Sequence, residues 1–123
     1  MQLKSLADTH KLSSKLSTAV SKGDIVFLFG EIGVGKTTFV RFLINYLEKK
    51  NNLPTSQILS PTFNIVYDYD ILDFKIFHYD LYRLKNDKDI DQLGIFENKN
   101  KNITFIEWPE LITKKPNDRI EVY

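Results

Sequence analysis

The stretch Gly30-Glu31-Ile32-Gly33-Val34-Gly35-Lys36-Thr37 constrains this chain more than any other. It matches the phosphate-loop pattern G-x-x-x-x-G-K-[ST] at every specified position. That pattern demands a strand before it and a helix after it, and both are present. Ile25-Val26-Phe27-Leu28-Phe29 is an unbroken apolar run of strand length. Beyond the glycines, Phe39, Leu43 and Leu47 fall four apart with Val40 and Ile44 beside them, which is helical spacing. The order strand, glycine loop, helix places the loop at the carboxyl end of its strand, where ligands bind in open α/β sheets.

The chemistry follows from the backbone. Three glycines let the chain curl so that the N–H groups of Ile32, Gly33, Val34, Gly35, Lys36, Thr37 and Thr38 face one concave spot, a nest for anionic oxygens. The helix N-terminus adds partial positive charge there. Lys36 has the reach for β- and γ-phosphates, and the Thr37 hydroxyl can ligate Mg²⁺. ATP and Mg²⁺ are the expected ligands.

A chain of 123 residues is expected to form a single domain, and with 42% apolar residues it can bury a core. The net charge of +1 gives no whole-molecule basic field that would mark a nucleic-acid binder. With no cysteine there is neither a disulfide framework nor a thiolate metal site. Met1 to Ser5 lacks the apolar core of a signal peptide, and no apolar run reaches the length of a membrane span. A cytoplasmic protein with no membrane partner is expected.

The remaining elements read in order. Ser5-Leu6-Ala7-Asp8 has the form of a capping box, and Leu12, Leu16, Ala19 and Val20 mark one face of the helix that follows. Ser21 to Asp24 turns into the first strand. After the glycine-loop helix ends near Glu48-Lys49-Lys50, Pro61 holds Ile58 to Phe63 extended. Phe63, Ile65, Tyr67 and Tyr69 then alternate with Asn64, Val66, Asp68 and Asp70, which predicts a strand over 63–70. A short turn and a second strand from Phe74 to Tyr79 complete an antiparallel hairpin. Asp87 to Leu93 is a short helix stopped by Gly94, Ile103 to Ile106 a buried strand, and Arg119 to Tyr123 a last strand. The fold class is therefore α/β, a small P-loop NTPase with a mixed parallel/antiparallel sheet of about five strands flanked by helices.

A phosphate loop works with a carboxylate at the end of a neighbouring strand, which holds Mg²⁺ or orients the attacking water. Glu107 ends the run Ile103 to Ile106, and Asp80 ends the second hairpin strand. Both are candidates for that acid, and an ordinary strand-terminal acid is the alternative for each. Ser60-Pro61-Thr62 lies where a switch segment would sense the γ-phosphate, or is a plain proline turn. Trp108 packs in the core or faces a functional surface. His78 reads as structural rather than as a general base, and Arg83 as a salt-bridged strand-end arginine rather than an arginine finger.

These motifs together carry a resemblance. Gly30 to Phe39, Ser60-Pro61-Thr62-Phe63, His78-Tyr79-Asp80-Leu81-Tyr82-Arg83-Leu84 and Glu107-Trp108-Pro109-Glu110 stand in the order and spacing of the TsaE family, small bacterial ATPases of tRNA threonylcarbamoyladenosine synthesis. The resemblance covers essentially the whole chain. It implies an ATP·Mg²⁺-binding protein that associates with a TsaB–TsaD heterodimer, meets tRNA only indirectly, and hydrolyses ATP weakly when alone. It implies that Lys36 contacts phosphate, that Thr37 and Glu107 hold Mg²⁺, and that Asp80 supports the metal or the water. Ser60, Thr62 and their neighbours would be the switch, Trp108 a residue needed for activity, and Leu6 and Thr9 part of the adenine pocket. The chain departs from the family in having Phe42 after Arg41, where glycine is usual. Family members also usually continue past the strand ending at Tyr123, so that strand is expected at an exposed edge.

Two other classes compete. A small-molecule P-loop kinase needs an arginine-rich lid, and this chain has only Arg41, Arg83 and Arg119, scattered along it. A nucleotide-gated clamp that does not hydrolyse ATP differs only in turnover. A GTPase fits less well still: Asp91-Gln92-Leu93-Gly94 matches D-x-x-G only superficially, with no apolar strand before it, and no N-K-x-D motif is present.

Overall fold

The computed structural model describes residues 6–30, 36–58, 65–84, 86–97 and 99–123, with side-chain surroundings for all of these but 6–8, 36, 87 and 99. The elements in order are α1 (Leu6–Ala19), β1 (Ile25–Leu28), α2 (Lys36–Lys50), β2 (Val66–Ile71), β3 (Phe74–Asp80), α3 (Asp87–Leu93), β4 (Ile103–Glu107) and β5 (Ile120–Val122). They form one five-stranded sheet in the order β2-β3-β4-β1-β5. Only the β2–β3 hairpin is antiparallel; β3, β4, β1 and β5 run parallel. The sheet is mixed and flanked by helices, as the alternation of apolar runs and helical stripes predicts. β5 lies at one edge, as expected.

β1 and β4, and the second half of β3, are buried on both faces because helices cover both sides. Leu16 of α1, Val20 just after it, and Phe39, Val40, Leu43, Ile44 and Leu47 of α2 pack on Val26, Leu28, Ile76, Ile103 and Phe105. Ile90 of α3, with Ile95 and Ile112, packs on Ile25, Phe27, Tyr79 and Ile106 from the other side. Burying one such side chain contributes about 1.5–3 kcal/mol. The period of two along β3 thus sends Ile76, His78 and Asp80 toward α2, and Phe77 and Tyr79 toward α3.

Two local features adjust the expected boundaries. The first hairpin strand begins at Val66 rather than at residue 63. Ile65 has φ 68°, a left-handed conformation that breaks the extended run and is uncommon for a β-branched residue. Gly94 closes α3 in the left-handed region at φ 61°, its N–H donating to the Asp91 carbonyl, while Asn86 caps the other end by accepting from the Asp89 N–H. Phe42 is half-buried, its ring edge-on to His10 at 5.0 Å, so the departure from glycine adds a packing contact between α2 and α1. Among the described residues no helix is long and apolar enough to cross a membrane.

Candidate functional site

β3 and β4 both end in an acid, and their register pairs those acids directly. Asp80 stands opposite Glu107, and Glu107 stands opposite Leu28 of β1 on its other side. Both carboxylates are buried, at 6% and 4% exposure. Buried acids need partners, and the strand ends supply them. The first turn of α2 arrives at the same end of the sheet, and its N-terminal dipole favours negative charge.

Thr37 Oγ1 donates to Glu107 Oε2 at 3.3 Å, and His78 Nε2 meets the same oxygen at 2.5 Å. An ionised carboxylate only accepts, so both contacts are donated to it. Glu107 Oε1 makes no hydrogen bond among the described residues and remains open to a further donor or cation. His78 is fully buried, and among the described residues its Nδ1 is the one buried side-chain nitrogen or oxygen without a partner. Leaving such an atom unsatisfied costs about 1–3 kcal/mol.

Asp80 is oriented by the backbone beyond it. Its Oδ1 accepts from the Tyr82 N–H at 3.0 Å, the turn that aspartate makes with the residue two further on. The Asp80 N–H donates to the Ile65 carbonyl at 2.8 Å, which ties the residue following the Ser60-to-Asn64 stretch to the end of β3. The Leu81 N–H donates to the Glu107 carbonyl at 3.1 Å and holds the two strand ends together. Trp108 follows Glu107 with φ 58° and ψ 55°, left-handed and strained for so large a residue. Its half-buried ring leans on Tyr82, centroids 4.9 Å apart at 48°, and Tyr82 is 52% exposed. The ring is therefore neither pure core nor free surface; it flanks the acid on the solvent side.

The donor set suits Mg²⁺. Hydroxyl and carboxylate oxygens are its preferred ligands, and Thr37 and Glu107 bring one of each kind together. Among the described residues no three His, Cys, Asp or Glu side chains form a cage of their own. The set matches an ion that brings phosphate oxygens and water with it.

The other expected site residues are placed as follows. Lys36 opens α2, and Thr38 sits half-buried in its first turn. Leu6 opens α1; Thr9 is buried within it, its carbonyl accepting from Ser13 Oγ at 2.8 Å. Ile32, Gly33, Val34, Gly35, Ser60 and Thr62 lie outside the described residues. His78 was expected to be structural, yet it touches Glu107. The signal available in sequence was its place two residues before Asp80 on the same strand, and so on the same face. Glu48, where the sequence reading ends the glycine-loop helix, is 3% exposed and accepts from the N–H (3.0 Å) and Oγ (2.5 Å) of Ser56.

These features define an α/β protein with a mainly parallel sheet, two acids at its carboxyl end, and a helix-start threonine bonded to one of them. The chain belongs to the threonylcarbamoyl adenosine biosynthesis protein TsaE family, whose profile matches residues 3–123. It is 44% identical over 110 residues to the tRNA threonylcarbamoyladenosine biosynthesis protein TsaE of Rickettsia conorii, covering 89% of this chain and 61% of that one. The protein of the same description in Rickettsia bellii is 40% identical over 121 residues, covering 98% and 81%. That of Aquifex aeolicus is 35% identical over 118 residues, covering 96% and 80%. The chain thus spans about three fifths of the length of the Rickettsia conorii and Rickettsia felis relatives, at 61% and 59%. The crystal structure of Bacillus subtilis YdiB shares the fold with a TM-score of 0.69 at 21% identity, over 97% of this chain and 71% of that one.

Proposed function

We propose that this chain binds ATP with Mg²⁺ at the carboxyl end of the sheet and hydrolyses it in the service of tRNA threonylcarbamoyladenosine synthesis, acting on a TsaB–TsaD complex. The observation that carries the proposal is the junction of Thr37, in the turn following the Gly30-to-Lys36 stretch, with Glu107 at the end of a buried parallel strand. Family membership supports the biosynthetic role.

The residues divide the work by chemistry. Lys36 pairs with the outer phosphates, and amides of the glycine stretch cradle them. Thr37 and Glu107 would hold Mg²⁺, with Asp80 beside them on β3. An ion held there would supply positive charge against that building on the β- and γ-phosphate oxygens. Asp80, held by the Tyr82 N–H, would orient the attacking water and take its proton. Trp108 and Tyr82 shield this end of the sheet from bulk solvent.

The test is nucleotide binding by the chain and its Lys36→Ala variant, followed by phosphate release with and without TsaB–TsaD. Loss of ATP·Mg²⁺ binding in the variant, and turnover that rises with the heterodimer, are expected. Normal binding by Lys36→Ala sinks the site assignment. Tight binding with no stimulation by the partners favours a nucleotide-gated clamp instead.

A further inference from the structure

We propose that His78 is a positioning residue for Glu107: its imidazole holds one carboxylate oxygen so that the other faces the metal. The inference rests on the ATP·Mg²⁺ reading above and deepens it.

Glu107 is buried at the end of a central strand, and a carboxylate there has torsional freedom unless something fixes it. His78 Nε2 and Thr37 Oγ1 both meet Oε2, while Oε1 makes no hydrogen bond among the described residues. The Thr37 bond is the longer of the two and is the one given up when the hydroxyl turns to a cation. His78 alone then holds Oε2. The histidine is itself immobile. It lies at 0% exposure on β3 between Phe77 and Tyr79, and its β4 neighbour in the register is Phe105. Nδ1 has no partner among the described residues. A ring kept for packing alone has no reason to be polar here, because an apolar ring of the same shape would leave no orphaned atom. The contact to Glu107 is what the polar ring gains in exchange. Such partners of ligating carboxylates orient them, and losing one weakens metal affinity about 10- to 100-fold.

The test titrates Mg²⁺ against binding of a fluorescent ATP analogue, with the intrinsic fluorescence of Trp108, the chain's single tryptophan, as a second readout. Binding of the same analogue in EDTA gives the metal-free affinity. The variants are His78→Phe, which keeps the ring and removes the donor, and His78→Gln, whose amide can again reach Oε2. His78→Phe is expected to need about 10-fold more Mg²⁺ for half-maximal effect, with metal-free affinity unchanged. His78→Gln is expected to return most of the way to wild type. A wild-type Mg²⁺ requirement in His78→Phe overturns the proposal, and so do equal losses in the Phe and Gln variants, which would mark a packing role. Should His78→Phe fail to fold by circular dichroism, His78→Asn takes its place, since its shorter amide falls short of Oε2; equal behaviour of Asn and Gln then overturns the proposal. If the wild-type chain shows no Mg²⁺-dependent nucleotide binding, the ATP·Mg²⁺ reading fails and takes the role of His78 with it. If wild type depends on Mg²⁺ and His78→Phe matches it, only the role of His78 falls.

Discussion

Thr37, in the first turn of α2, gives its hydroxyl hydrogen to the Glu107 carboxylate at the end of β4 across 3.3 Å, joining residues 70 positions apart. The contact makes the helix start and the strand end one unit. His78 and Asp80, alternate residues of the neighbouring strand, complete that unit from the side.

Glu107→Gln keeps the shape of the side chain and an acceptor for Thr37 and His78, and removes the charge. ATP turnover is expected to fall about 100-fold, the lower end of what a positioned charged group contributes, while the fold and nucleotide binding persist. Phosphate release at saturating ATP measures it. Wild-type turnover in this variant would show that Asp80, or neither acid, serves the metal.

Glu48→Ala leaves the Ser56 N–H and hydroxyl without their carboxylate acceptor at the end of α2. Hydrogen bonds to a charged group contribute about 1.5–3 kcal/mol, so a loss of about 2 kcal/mol is expected in urea unfolding. A loss below about 0.5 kcal/mol, the usual bound for a surface change, would mean that the Ser56 contact does not persist in solution.

Leu72 sits at the tip of the β2–β3 hairpin with φ 53° and 67% of its surface exposed. Left-handed backbone costs a residue such as leucine about 1–2 kcal/mol, and asparagine tolerates it better. Leu72→Asn forfeits little burial and is expected to stabilise the chain by about 1 kcal/mol, or roughly 4 °C in melting temperature. An unchanged or lower melting temperature contradicts the strain.

Tyr79 reports on alkaline stability. Burial raises its phenol above the usual value near 10, and the charges of Asp68 and Glu97 push in the same direction. A folded-state value above the unfolded one means that the neutral form is favoured in the fold. Its stabilising share is fully present below pH ~10 and is lost as pH climbs through the folded value. The urea midpoint of the wild type should therefore drop more between pH 9 and pH 11 than that of Tyr79→Phe. Parallel declines would show that this phenol does not govern the effect.

The legible parts of the fold are those where one face or two are apolar over several residues. β1, α2 and β4 are such segments, and the acid at the end of β4 is visible because the run stops there. The hairpin is legible from the alternation of Tyr67, Tyr69 and Ile71 with Asp68 and Asp70, but its start is not, because the conformation of Ile65 is imposed by the bond between its carbonyl and the Asp80 N–H. The company of His78 depends on the register of β3 against β4, and the burial of Glu48 on Ser56 folding back over the end of α2. Both are tertiary facts; the spacing of two between His78 and Asp80 shows a shared face but not the partner on β4. Ile32, Gly33, Val34, Gly35, Ser60 and Thr62 stand as expectations of the sequence alone.

The pairing of β1 has a bearing on how the chain is made. Its strand partners among the described residues are β4 and β5, both far along the chain, and no described strand translated before Ile103 pairs with it. This buried strand must therefore wait, with α2 already synthesised, until β4 and β5 emerge. Such distant pairing slows folding, and a nascent chain cut before Ile103 would leave Ile25–Leu28 without the strands it pairs with, a target for chaperones rather than half of a working domain.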